Sequence, residues 1–181
     1  MKNIFTITGS ASRNSSNHKI IQHLADLGKD ECNFLCYDDL RKLPHFDPDR
    51  SIIDSPPVIS EFRKAIEDAD GVLICTPEYL FSIPSGLKNA LEWCVSTTVF
   101  SAKACGLITA STDGKHGHAQ LQLLMKTLLG TDSECTTLLI PGIRSKLNEL
   151  GKIKDRGTLD DLQKFYTAFY KSVKLQDGSS L

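Results

Sequence analysis

The sequence is expected to form an α/β fold, a doubly wound, five-stranded parallel sheet with helices on both faces. Three observations lead there. Five short, nearly continuous apolar runs, partly β-branched, have the composition of strands buried on both sides. Five amphipathic stretches repeat their apolar residues at helical spacing. Strand and helix alternate throughout, the order that a right-handed βαβ winding requires.

The first run, "NIFTIT" at 3–8, precedes a helical stretch at 17–28 with Ile20, Ile21 and Leu24 on one side. "NFLCY" at 33–37 is the second strand, and the polar, proline-rich connection 38–57 after it reads as an ordered surface excursion. A helix over 58–68 carries Val58, Phe62, Ala65 and Ile66, and leads into the third strand, "GVLICT" at 71–76. The next helix, 84–96, aligns Leu87, Ala90, Leu91 and Cys94 before the fourth strand, "ACGLITA" at 104–110. Leu121, Leu124, Met125 and Leu128 mark a helix over 117–129, followed by "TTLLI" at 136–140, an irregular segment 141–157 and a last helix over 158–173.

With 181 residues, the chain is expected to be one domain over 1–175, with 176–181 as a flexible tail. A formal charge of -1 gives no electrostatic reason to expect nucleic acid or a membrane surface. No apolar run approaches the ~18 residues of a membrane span, so a cytoplasmic protein is expected. The six cysteines form neither a CxxC pair nor a zinc pattern and read as small buried hydrophobes in a reducing compartment.

Ligands of such sheets bind at the carboxyl ends of the strands, which directs attention to the loops after strands one, three and four. The first reads "GSASRNSS" (9–16), with Asn17 as the candidate helix N-cap. Helix-terminal N–H groups, serine hydroxyls and one guanidinium suit a single phosphate. Neither GxxxxGK[ST] nor GxGxxG is present, so a triphosphate or pyrophosphate loop is not indicated. The bland alternative is a serine-rich turn that only caps a helix. In the third loop Pro77 ends the strand, Tyr79 and Phe81 expose aromatics against which a flat ligand could lie, and Pro84 begins the next helix. Trp93 reads as a core or interface residue. The fourth loop, "STDGKHGH" at 111–118, contains an H-x-H pair without a supporting cluster, and no metal is expected. No nucleophile elbow is found either.

Together, "GSASRNSSN" and "TPEYLFSIPSGLKNALEW" resemble the NADPH-dependent FMN reductase family, a similarity covering most of residues 1–130. The resemblance implies a flavodoxin-like sheet of order 2-1-3-4-5 that binds FMN. Its phosphate would be held by Ser10, Arg13, Ser15, Ser16 and Asn17, and its ring by Pro77, Glu78, Tyr79 and Leu80 together with Ser111, Thr112, Asp113 and Gly114. The chemistry would be the cofactor's, with no catalytic side chain: hydride from NADPH or NADH passes to a small-molecule electron acceptor such as a quinone, free flavin, azo compound or metal oxyanion. The sequence departs from the family at Leu80, where asparagine is common, and in the fourth loop, which is poorer in glycine. A homodimer or homotetramer is implied, with the helix carrying Leu87, Leu91 and Trp93 as the nominated interface. The alternatives are a flavodoxin-type electron carrier, for which the near-neutral charge offers little steering, and a non-catalytic flavin-binding protein.

Overall fold

A computed structural model describes residues 1–12, 15–37, 39–130 and 134–176. Five strands, β1 (Lys2–Thr8), β2 (Cys32–Tyr37), β3 (Gly71–Thr76), β4 (Ala104–Ser111) and β5 (Thr136–Pro141), form one sheet in the order β2-β1-β3-β4-β5. All four pairings are parallel. The helices are α1 (Ser16–Leu27), α2 (Pro48–Ile53), α3 (Pro57–Asp68), α4 (Ser85–Glu92), α5 (Lys115–Leu129) and α6 (Arg156–Leu175).

Side chains alternate along the strands, and this splits the core in two. Ile4, Leu73 and Ile108 pack under α1 and α6 with Ile20, Leu24, Leu162 and Phe169. Phe5, Ile7, Val72, Ile74 and Leu107 face α3, α4 and α5, meeting Phe62, Leu87, Leu91, Trp93, Leu121 and Met125. Each such fully buried large apolar side chain contributes about 1.5–3 kcal/mol. Trp93 is thus a core residue, and its indole Nε1 donates to the carbonyl of Pro44 at 2.8 Å.

Four expectations need correction. β2 and β5 are not buried on both faces, because they are the two edges of the sheet and leave residues such as Leu35 exposed. The N-cap of α1 is Ser15, whose hydroxyl accepts from the N–H of His18 at 3.3 Å; Asn17 lies within the helix and is buried. The helix expected over 84–96 stops at Glu92, and turns continue the chain. Finally, the side chains of Leu87, Leu91 and Trp93, nominated for an interface, are buried in the chain's own core.

The excursion after β2 is ordered where described, by α2 and a 3₁₀ turn at Leu40–Lys42. It is pinned from α3: Arg63 donates to the carbonyls of Trp93 and Ser51 and to the hydroxyls of Ser51 and Ser55. The segment after β5 likewise holds a 3₁₀ turn, Ile143–Lys146, and a bridge between Leu147 and Ile153. Among the described residues, no helix is long and apolar enough to cross a membrane.

Candidate active site

Register brings the carboxyl ends of the central strands together: Thr8 lies beside Cys75, and Thr76 beside Thr109. Gly9 continues the first pairing by donating its N–H to the carbonyl of Cys75 at 2.9 Å. There is no room for a side chain here, since a Cβ on Gly9 would lie 2.2 Å from Thr76 Oγ1. The one glycine of the serine loop is therefore required by contact between strands rather than by approach to a ligand.

From this point the serine loop turns into α1. Ser10 is buried and its hydroxyl accepts from the N–H of Ser12 at 3.3 Å. Ser15 caps the helix and also meets His18 Nδ1 at 3.1 Å. The N–H groups of the first turn, at Ser16 and Asn17, have no intrahelical partner by the geometry of a helix start. Asn17 fixes the helix against the sheet, its amide donating to the Ala110 carbonyl at 3.5 Å and accepting from the Cys75 thiol at 3.2 Å.

The third and fourth loops are joined to one another. Ser111 Oγ donates to the carbonyl of Glu78 at 3.3 Å, and the Glu78 carboxylate accepts from the N–H of Gly117 at 2.6 Å. Glu78 is thereby a capping group for the first turn of α5, where a negative charge meets the positive helix end. Gly117 makes this approach feasible, because a Cβ there would lie 3.2 Å from the Glu78 side chain. Behind the loop, Thr109 Oγ1 and His118 Nδ1 are 2.9 Å apart, and burial lowers the His118 pKa below its ordinary value.

Tyr79 and Ser82 exchange two backbone hydrogen bonds, at 2.9 and 3.0 Å, around Leu80 and Phe81. Both central residues have positive φ, 49° and 59°. This is the geometry of a type I′ turn, which favours Asn-Gly. Each non-glycine residue held there costs about 1–2 kcal/mol.

These loops enclose a cleft of about 590 Å³. Of the expected site residues, Ser10, Ser15, Ser16 and Asn17 line one end, and Pro77, Glu78, Tyr79, Ser111 and Thr112 the other. Leu80, Asp113 and Gly114 are not in the lining: Leu80 points to solvent, Asp113 pairs with Lys115 at 3.4 Å, and Gly114 (φ 87°) is the N-cap of α5. Arg13 lies outside the described residues. Ser12, one of the hydroxyls of the serine loop, also lines the cleft, and Ala110, Ile143 and Arg144, which sequence reasoning missed, complete the lining. Arg144 follows β5, whose loop was not among the three singled out in the sequence, although the strand-end rule covers it equally. Among the described residues, no group of three or more His, Cys, Asp or Glu side chains could hold a metal ion.

A five-stranded 2-1-3-4-5 sheet with a hydroxyl-lined cleft at its carboxyl edge defines a flavodoxin-like protein. The comparisons refine this. The profile of the family described as NADPH-dependent FMN reductase matches residues 2–138, and the chain belongs to that family. It is 29% identical over 180 residues to a quinone reductase of Escherichia coli strain K12, covering 94% of this chain and 95% of that one. A 2-hydroxy-1,4-benzoquinone reductase of a Burkholderia species is 41% identical over 90 residues, 50% of this chain and 48% of the other. Among solved structures, the flavoenzyme NAD(P)H:(acceptor) oxidoreductase FerB of Paracoccus denitrificans superposes with a TM-score of 0.77 at 24% identity, over 96% and 98% of the two chains. The chain is accordingly an FMN-dependent, NAD(P)H-driven reductase. The residues present fit the cofactor: one end of the cleft offers hydroxyls and N–H groups without a carboxylate, and the volume lies within the roughly 300–1,000 Å³ usual for ligand sites.

Proposed function

We propose that the protein is a cytoplasmic quinone reductase in which residues 1–175 act as one FMN-binding domain. The observation that carries the reading is the cleft itself, which joins a serine-lined helix start to the paired 77–79 and 111–112 loops at the carboxyl edge of the sheet. The names of the E. coli and Burkholderia relatives support a quinone as acceptor. The balanced reaction is NAD(P)H + H⁺ + quinone → NAD(P)⁺ + hydroquinone.

FMN, when bound, supplies a two-electron carrier able to accept hydride and pass the electrons on. The hydroxyls of Ser10, Ser15 and Ser16 and the first-turn N–H groups of α1 hold its phosphate. Backbone groups of Pro77–Tyr79 and Ser111–Thr112 border its ring. The Glu78 carboxylate holds the two loops together by accepting from the Gly117 N–H. The side chains of the cleft thus bind and orient, and the chemistry is left to the cofactor. The cysteines form no disulfide among the described residues, which supports a reducing compartment. The exposed Val95 and Leu123 support a homo-oligomer, dimer or tetramer, built on a surface other than the buried face of α4.

Purified protein should be yellow, release FMN on denaturation, and oxidise NADPH or NADH steadily when an electron acceptor such as a quinone is supplied. Ser15→Ala should weaken FMN retention about tenfold. Flavin-loaded protein without acceptor-dependent turnover would instead be an electron carrier or a binding protein.

A further inference from the structure

The turn at 79–82 combines two unfavourable features that its neighbours do not share. Leu80 and Phe81 both occupy the left-handed region, at φ 49° and 59°, although neither is glycine or asparagine. Their side chains are also 95% and 74% exposed, so burial within the chain does not offset the strain. The turn is nevertheless held firmly. Besides the paired bonds between Tyr79 and Ser82, Gln120 Oε1 accepts from both Ser82 Oγ and Ile83 N at 2.8 Å. Phe81 meets the His116 ring edge-on at 5.4 Å, which fixes one side of the tip against the start of α5. Tyr79, itself 54% exposed, lines the cleft and makes the tip continuous with it.

Strain and exposed apolar surface, fixed in place beside a ligand cleft, are the marks of a surface shaped for something that binds there. We infer that Leu80 and Phe81 form an acceptor-selecting rim, which receives the apolar or second-ring portion of a bulky quinone and favours such acceptors over small hydrophilic ones. This rests on the reductase reading proposed above and deepens it. A flat acceptor entering beside Tyr79 meets a continuous apolar border made of one aromatic and one aliphatic side chain. A small anion finds nothing to bury there. Because the turn is already held in its strained form, no ordering of the loop opposes this contact, and preorganisation favours binding.

The test replaces the tip with the residues its backbone prefers, as L80N/F81G, and compares 2-methyl-1,4-naphthoquinone with ferricyanide. The ratio of kcat/KM for the naphthoquinone to that for ferricyanide is expected to fall at least tenfold. Calorimetric titration of the oxidised protein should show the same loss in naphthoquinone affinity, and the melting temperature should rise. L80M/F81L, which keeps the tip apolar, should keep the ratio near that of the parent. An unchanged ratio and affinity in L80N/F81G would overturn the inference. So would a change of oligomeric state in size-exclusion chromatography that accounts for the loss, since the tip would then be covered by a second copy of the chain. A parent protein that binds the naphthoquinone but turns over neither acceptor would remove the reductase reading while leaving the rim to be judged by affinity alone.

Discussion

Gly9→Ala should damage stability and flavin binding together, and its effect can be worked from the packing. The added Cβ would lie 2.2 Å from Thr76 Oγ1, 2.6 Å from Thr76 Cβ and 3.2 Å from Leu87 Cδ2. Carbon atoms prefer to sit about 3.5–4.0 Å apart, so either β1 or β3 must shift by roughly 1 Å. Neither yields easily: Thr76 is fully buried with its hydroxyl donating to the Pro77 carbonyl at 3.0 Å, and Gly9 N–H is bonded to Cys75. Overpacking typically costs about 1–3 kcal/mol, and this contact belongs at the upper end. For a chain of this size, about 3 kcal/mol lowers the melting temperature by roughly 6–12 °C. The same shift separates the serine loop from the Pro77–Tyr79 loop, so FMN retention should fall as well. Urea unfolding of G9A, T76G and G9A/T76G measures the contact directly, because T76G removes both of the nearest atoms. A coupling of about 2 kcal/mol in the compensating direction is expected. G9A within about 0.5 kcal/mol of the parent, or a double variant no better than additive, would refute the reasoning.

Two further outcomes follow from burial. Burial lowers the His118 pKa in the fold, while the unfolded chain takes up a proton near the ordinary histidine value of about 6.5. Its stabilisation is therefore complete above that pH and is lost as pH falls toward the folded value. His118→Gln, which can still bond Thr109, should flatten the decline of melting temperature below about pH 6.5, and an unchanged slope would sink the assignment. His23 shifts in the same direction for the same main reason and accounts for part of the slope that remains. Among the cysteines, Cys36 is exposed, whereas burial pushes the Cys94 thiol up to about 12 and raises that of Cys75. Alkylation followed by mass spectrometry should label Cys36 in the native protein and Cys75 and Cys94 only on unfolding.

The sheet was legible because parallel strands carry their burial in consecutive apolar residues, as β3 does along its whole length. Edge position is not written in such runs. "NFLCY" reads like the central strands, yet both of its faces are only partly covered: Phe34 and Tyr37 are half-buried, and Asn33 and Leu35 are exposed. Helix starts were legible to within a residue or two, but the choice between Ser15 and Asn17 as cap depended on a bond from Asn17 to Ala110, 93 residues away. The same limit hid the capping role of Glu78, which is expected only beside the ring until Gly117, 39 residues on, is brought next to it. Leu87, Leu91 and Trp93 form an apolar stripe that suits an interface or a core equally well, and only the packing of α4 on the sheet decides for the core. Arg144 carries no local pattern at all and enters the cleft through the turn after β5.

The bond between Glu78 and Gly117 has a consequence for how a ligand is oriented. Glu78 and Arg144 are the charged residues among the described cleft lining. The negative one is offset by the helix start it caps, while Arg144 stands by Ser16 and has no ion-pair partner among the described residues. Charge along the cleft is therefore uneven: Arg144 adds a cation beside the serines, and the start of α5 offsets part of the Glu78 charge where the two loops meet. Such a gradient would favour a molecule with a dianionic tail and an uncharged flat head entering with its tail toward the serines.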